Sequence, residues 1–295
     1  MGTSQALPRH RVSRYTLTMS PFRPWAPAAA LLLLSCGTSA GSSVGERTLD
    51  NCTTSVAEDA PAFFRQFFKC VTVTTTGTGV RISTQSLPPH RSAYYGASSP
   101  NYEAFDTSRG SPYRANPNSI QSKSVSFTLP NTPAARGLTV TSGLVDGVVG
   151  TSSNEYPMGP AGVALDSVAL FNPLAAPGDD IEQEKYTFDG YNAHPTQDGT
   201  YHYHTTSPGP LEVLDAVGSG ALELYGIMCD GTVVLGCKEL DGTAAPSSLD
   251  AQGGHVHDLA DGRGTTYFAA RYHVHVCDTG RKYTPEIQYY GTCAK

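Results

Sequence analysis

Three times between residues 202 and 275, histidine recurs at alternate positions: His202 and His204 in Tyr-His-Tyr-His, His255 and His257 in Gly-His-Val-His-Asp, and His273 and His275 in Tyr-His-Val-His-Val. Alternation puts both rings of a pair on one face only where the backbone is extended, because side chains i and i+2 of a strand point the same way. Their Cα atoms then sit roughly 6 to 7 Å apart, and two ring nitrogens can converge on one ion at about 2 Å from each. The intervening Tyr203, Val256 and Val274 fall on the opposite face, where they can pack. The spacing predicts three strands lying side by side with their imidazoles turned into one pocket. The competing reading is a buried His/Tyr hydrogen-bond network, or a pH-sensitive cluster.

Imidazole suits zinc, copper, nickel and iron; zinc or copper is the expected cofactor. Asp198 precedes the first pair and Asp258 directly follows the second, so either acid can orient a ring. Asp258 is the candidate general base, with a solvated loop acid as the alternative. No CxxC spacing, GxSxG, P-loop or HExxH motif offers a different chemistry.

The N-terminus carries basic residues followed by an apolar run over 26–34, about half of the roughly 20 residues that cross a bilayer. It reads as an export signal, with Met1 or Met19 as the start. Leu33-Leu34-Ser35-Cys36 resembles a lipobox, which makes Cys36 the lipidated residue and residues 1–36 the signal; cleavage after Ala40 is the rival reading. Removing Cys36 leaves six cysteines: Cys52, Cys70, Cys229, Cys237, Cys277 and Cys293. An even number in an oxidising compartment predicts disulfides. The simplest expectation pairs neighbours, Cys52 with Cys70, Cys229 with Cys237 and Cys277 with Cys293. Residues 1–36 also hold four arginines and no acid, so the remainder carries 26 acids against 16 bases. That balance argues against a nucleic-acid partner. Membrane contact is expected only through the N-terminal lipid.

Residues 37–48 read as a tether within an N-terminal segment, 37–70, and the main domain as 71–295. One short helix is predicted in 58–69, with Phe63, Phe64, Phe67 and Phe68 on an apolar stripe. Val71 to Thr84 has a hairpin signature. Residues 87–118, rich in Pro, Ser, Tyr and Asn, read as a long ordered loop. Strands are expected at 123–129, 161–171, 200–206, 221–228 and 265–276, with Asp-Gly turns at 146, 189, 198, 230, 241 and 261. The HxH pairs recur at uneven intervals, and no repeat of solenoid length is present. The fold class is mainly β, a sandwich or irregular barrel with long loops. An acidic run at Asp179, Asp180, Glu182 and Glu184 reads as solvated loop or calcium site. Tyr94, Tyr95, Tyr289 and Tyr290 read as packing residues or a sugar-binding surface.

Beyond the pairs themselves, an ordered series resembles the YHYH domain family, whose members are mostly secreted or lipid-anchored. It comprises SLPPH at 86–90, GPAGVALDSVALFNP at 159–173, FDGYNAHPTQDGTYHYH at 188–204, LYGIMCDG at 224–231, LDAQGGHVHD at 249–258, YHVHV at 272–276 and YTPEIQYYGTC at 283–293. The resemblance spans 71–295 and draws His90 and His194 into the ligand set. Asp166 stands where the family has Asn, Gly253 replaces Asn, and Val274 replaces the second Tyr. The resemblance implies a domain and no particular reaction. Eight histidines exceed what one ion takes, so two ions, or one ion with supporting rings, are expected. The functional expectation is an exported metal-binding protein: a metal-dependent hydrolase, a zinc or copper carrier or buffer, or a structural or adhesive module. An open three-histidine site beside an acid would favour catalysis, and a closed four-ligand site a structural role.

Overall fold

The computed structural model describes residues 45–145, 155–176 and 179–294. The expected signal and Cys36 lie outside them, as does the Asp-Gly turn at 146. Among the regular elements of the described residues, strands outnumber helices. The strands form two open sheets, with no closed barrel among the described residues, consistent with a β-sandwich.

The smaller sheet takes β1 (Ser55–Val56), β2 (Thr72–Thr75), β3 (Gly79–Thr84) and β4 (Val125–Pro130), in that order. The predicted hairpin is β2–β3. Between β1 and β2 lies α1 (Ala62–Phe67), the expected short helix. Phe63, Phe64, Phe67 and Phe68 are all buried. Two of these rings meet the larger sheet: Phe63 lies 4.9 Å from Phe268 and Phe67 lies 5.0 Å from Tyr267, centroid to centroid.

The larger sheet is built from β5 (Gly162–Ala164), β6 (Ala169–Leu170), β7 (Ala193–Pro195), β8 (Tyr201–Tyr203), β9 (Leu224–Met228), β10 (Val233–Leu235), β11 (Gly254–Ala260) and β12 (Thr266–His275). Its spatial order is β11-β12-β10-β9-β5-β6-β8-β7. The single strand expected over 161–171 is therefore a hairpin. Ser167 takes a left-handed φ of 81° there, and the Ala164 amide donates to the Val168 carbonyl. A short helix, α2 (Ile181–Glu184), precedes β7. A second, α3 (Pro208–Ala216), joins β8 to β9. The sequence reading omitted α3, although Ser207 is an N-cap whose side chain accepts from the Gly209 amide and Pro208 fits the first helical position.

In-register neighbours share a face of a sheet. One row therefore crosses all eight strands: His194, His202, Ala169, Val163, Ile227, Val233, His273 and His255. Histidines occupy both ends, and the four residues between them are buried and apolar. The row corrects the expectation of one shared pocket. The first HxH pair lies near one edge of the sheet and the other two near the opposite edge. β8 and β12 stand five strand steps apart, about 24 Å at ~4.8 Å per step.

Three disulfides join Cys52–Cys70, Cys229–Cys293 and Cys237–Cys277. Neighbour pairing holds only for the first. Parallel pairing of β10 with β12 brings Cys237 to Cys277, and the returning C-terminal segment brings Cys293 to Cys229. Disulfides mark an extracellular or envelope protein. Among the described residues no helix is long and apolar enough to cross a membrane. The loop over 87–118 is ordered in part by Asn101, whose amide donates to the carbonyls of Arg47 and His90. Tyr94 is buried, and the Tyr95 hydroxyl donates to the Pro88 carbonyl. Tyr289 stacks on Tyr272 at 3.8 Å. These tyrosines serve packing.

Candidate metal centres

At one edge of the larger sheet, His194 on β7 faces its cross-strand partner His202 on β8, and His204 follows two residues later. All three rings are buried. Their Nδ1 atoms are committed. His202 Nδ1 donates to the Thr200 carbonyl at 2.9 Å, and His204 Nδ1 to the Asn172 carbonyl at 2.6 Å. Thr187 spends its hydroxyl proton on the Glu184 carbonyl, so at 2.6 Å from His194 Nδ1 its oxygen accepts. A neutral imidazole with a protonated Nδ1 carries a lone pair on Nε2. Three such lone pairs converge: His202 Nε2 lies 3.1 Å from His194 Nε2 and 2.9 Å from His204 Nε2. Facing lone pairs repel unless a cation lies between them. Ligand atoms on a tetrahedral ion with bonds of about 2.0–2.1 Å are about 3.3 Å apart, close to this spacing.

The rings are held neutral. Burial pushes His204 down to about 4; burial and the neighbouring His204 push His194 down to about 3; burial, then His204 and His194, hold His202 well below its ordinary value. Metal ligation requires the neutral form. Phe171 stacks on His202 with centroids 3.8 Å apart, fixing that ring.

Glu184 ends α2 with Oε1 3.5 Å from His194 Nε2. Its Oε2 is buried without a hydrogen-bond partner. Burial, helped by Asp179, raises its carboxyl to about 7. Two other acids of the run are used locally. Asp180 caps α2 by accepting from the Glu182 amide, and Glu182 accepts from the Tyr283 hydroxyl at 2.6 Å. The three rings and Glu184 line a cavity of about 760 Å³, which Phe171, Leu174, Asn116 and Arg114 also face.

At the opposite edge, His255 on β11 faces His273 on β12, and His275 follows two residues later. His273 Nδ1 donates to the Arg271 carbonyl at 3.0 Å and His275 Nδ1 to the Gly236 carbonyl at 2.8 Å. Here a carboxylate joins the rings. Glu239 Oε1 lies 2.8 Å from His255 Nε2 and 3.2 Å from His275 Nε2, and its Oε2 lies 3.1 Å from His273 Nε2. Burial raises the Glu239 carboxyl, but the contacts with His273 and His275 outweigh it and leave the group below the usual range. Both groups, His194/His202/His204 and Glu239/His255/His273/His275, have ligand atoms close enough to hold a metal ion.

The remaining candidates stand apart from these groups. His90 is buried on the far side of β8, with Nδ1 donating to the Arg91 carbonyl and Nε2 3.2 Å from the Tyr203 hydroxyl. Its ring stacks on Tyr191 at 3.4 Å. His257 is exposed on β11, stacked beside His255 at 5.9 Å. Asp258 is exposed, and its Oδ1 accepts from the Ala270 amide at 2.7 Å. The Asp198 carboxylate is spent on Thr196 and Thr200 and sits beside Lys123. Sequence reasoning missed Glu184 and Glu239 as site residues. Glu184 figured only as part of an acidic run, and Glu239 belongs to no pattern with its histidines.

A family model described as YHYH protein matches residues 127–254, which supports the resemblance read from the sequence. The match contains His194, His202, His204 and Glu239 and ends one residue before His255. No curated protein and no solved structure matches the chain.

Proposed function

We propose that the chain, which matches the YHYH protein family model over residues 127–254, is an exported metal-dependent hydrolase whose reaction centre is His194, His202 and His204. The observation that carries this reading is the convergence of three Nε2 lone pairs on one point, each fixed by a hydrogen bond at Nδ1. A zinc-type ion fits three neutral nitrogens with a fourth position open, and supplies Lewis-acid polarisation and a lowered water pKa.

The residues of the chain do the rest. Thr200, Asn172 and Thr187 orient the rings, so the ligands need no rearrangement on binding. Glu184 Oε2, with no other partner and a carboxyl raised to about 7, takes the proton of the attacking water and returns it to the leaving group. Phe171 and Leu174 give the cavity an apolar wall, and Asn116 and Arg114 offer polar contacts to a substrate. Export agrees with the three disulfides. They consume six cysteines and leave Cys36 as the seventh, the residue proposed to carry the lipid.

The test is turnover by the zinc-loaded protein on a panel of chromogenic carboxylic and phosphoric esters. Hydrolysis that disappears in a folded His202→Ala variant supports the assignment. Hydrolysis that survives loss of the ion sinks it.

A further inference from the structure

We infer that Glu239, His255, His273 and His275 form a second, separate metal centre, four-coordinate and structural, that binds a zinc-type divalent ion. It does not depend on the first centre being catalytic.

The argument begins with the architecture. The larger sheet is one four-strand unit present twice: β5-β6-β7-β8 and β9-β10-β11-β12. In each unit a tight hairpin is followed by a second hairpin, whose last strand pairs parallel with the second strand of the first. The turns agree in detail. Ala164 and Met228 donate their amides to the carbonyls of Val168 and Thr232, each at 2.8 Å. Asp166 and Asp230 accept from the amides of those same residues. Ser167 and Gly231 both take a left-handed φ.

Agreement continues to the ligands. Five residues before the first histidine of each unit stand Asp189 and Asp250, which receive the hydroxyls of Tyr201 and Tyr272 at 2.7 and 2.8 Å. Two residues before it, Asn192 and Gly253 are both left-handed. His202 and His273 then bond the carbonyl two residues back, and His204 and His275 bond the carbonyls of the equivalent Asn172 and Gly236. Two clusters with the same cross-strand pair, the same third ring and the same Nδ1 anchors on the second and third rings present the same three nitrogens.

They differ at the fourth position. Three residues beyond those carbonyls stand Ala175 in the first unit and Glu239 in the second. Glu239 brings Oε1 to 2.8 Å from His255 Nε2 and 3.2 Å from His275 Nε2, and Oε2 to 3.1 Å from His273 Nε2, so its carboxylate stands against all three ring nitrogens as a fourth ligand would. Four protein ligands complete a tetrahedral site, the arrangement of a structural ion. The Cys237–Cys277 disulfide fastens it, since Cys237 lies two residues before Glu239 and Cys277 two after His275. The equivalent residues of the first unit are Pro173 and Thr206.

The test uses the full exported protein, stripped with chelator and titrated with Zn²⁺. Two equivalents are expected. Glu239→Gln and His255→Ala should each remove one and leave the one that His202→Ala removes. His255 is partly exposed, so its variant should keep the native far-UV spectrum. The His202→Ala protein loaded with Co²⁺ should show the intense d–d bands of a four-coordinate site. A single equivalent that follows His202 alone would overturn the inference, as would two equivalents retained in both second-centre variants. Loss of both ions from folded His255→Ala, or only the weak band of an octahedral ion, would overturn it too. A single equivalent that follows His255 and not His202 supports this centre while removing the hydrolase reading.

Discussion

The two ends of the large sheet start from one ligand triad and close it differently. At the first end the fourth place faces a cavity, and the nearest carboxylate, Glu184, stands 3.5 Å from one ring nitrogen and outside the ligand group. At the second end Glu239 enters the group itself. The backing differs as well. Behind the first triad Tyr203 reaches Asp166 at 2.7 Å and His90 at 3.2 Å, a buried polar layer. Behind the second, Val274 fills the equivalent place with hydrocarbon, and Asp230 takes the amides of Tyr289 and Tyr290 instead. A shared scaffold thus carries one ligand group without a carboxylate and one that a carboxylate joins, and the distinction rests on single side chains.

The largest effect should come from Glu184. Glu184→Gln keeps the shape and removes the base, so turnover should fall by about 10²- to 10⁴-fold while both ions stay bound. Loss of an ion in that variant would make Glu184 a ligand and erase the contrast between open and sealed sites.

Acid should act mainly on the first unit. Burial holds His90 at about 3, below the ordinary 6.5, so the unfolded chain binds the extra proton first. Stability from this group is complete above pH 6.5 and is lost as pH falls towards 3. Asp166 and Asp189, raised by burial to about 6, work in the opposite sense between about 3.8 and 6. A His90→Gln variant isolates the imidazole contribution. Its deficit in unfolding free energy relative to wild type should shrink by about 3 kcal/mol between pH 7 and pH 4. A deficit independent of pH would show that His90 is already protonated in the fold.

Cys237→Ser/Cys277→Ser should weaken the second ion by about tenfold or more in chelator competition, because the closed loop no longer restrains the unfolded ligands. The first ion should be unaffected. Equal weakening of both would mean that the centres do not fold independently.

The smallest effect concerns the left-handed residue before each triad. Asn tolerates that conformation almost as glycine does. Asn192→Gly should cost less than about 1 kcal/mol in urea unfolding, since it loses only the bond from its amide to the Thr206 carbonyl. Gly253→Val should cost about 1–2 kcal/mol or more, because φ is 77° and a Cβ would lie 3.2 Å from the His275 carbonyl oxygen. Similar costs for the two changes would break the equivalence of the turns.

Much of this was legible in the residues. Strand geometry alone placed each HxH pair on one face, and the aromatic stripe gave α1 its core. Which strands become neighbours was not legible, because pairing joins residues such as Val233 and His273 that lie far apart in the chain. That missing information also misplaced two disulfides. Glu239 escaped notice because a lone acid gains meaning only when the fold brings it to three rings. The duplication hid for a different reason. The first and second histidines are eight residues apart in one unit and eighteen in the other, since β11 and β12 run on into a longer hairpin. Few identities survive besides the turn residues, so no fixed period remains.

At the centre of the sheet, β5 and β9 pair as Gly162 with Met228, Val163 with Ile227 and Ala164 with Gly226. Exchanging the two units leaves that register unchanged. Self-complementary edges of this kind are what two identical chains use to make a two-fold dimer. A single unit on its own would expose its β5 edge and meet a partner only at sufficient concentration. Residues 205–223, which include α3, remove that dependence by tethering the halves, so that their pairing becomes intramolecular. The joined sheet then survives any dilution outside the cell, and each half can change its fourth ligand without changing the other.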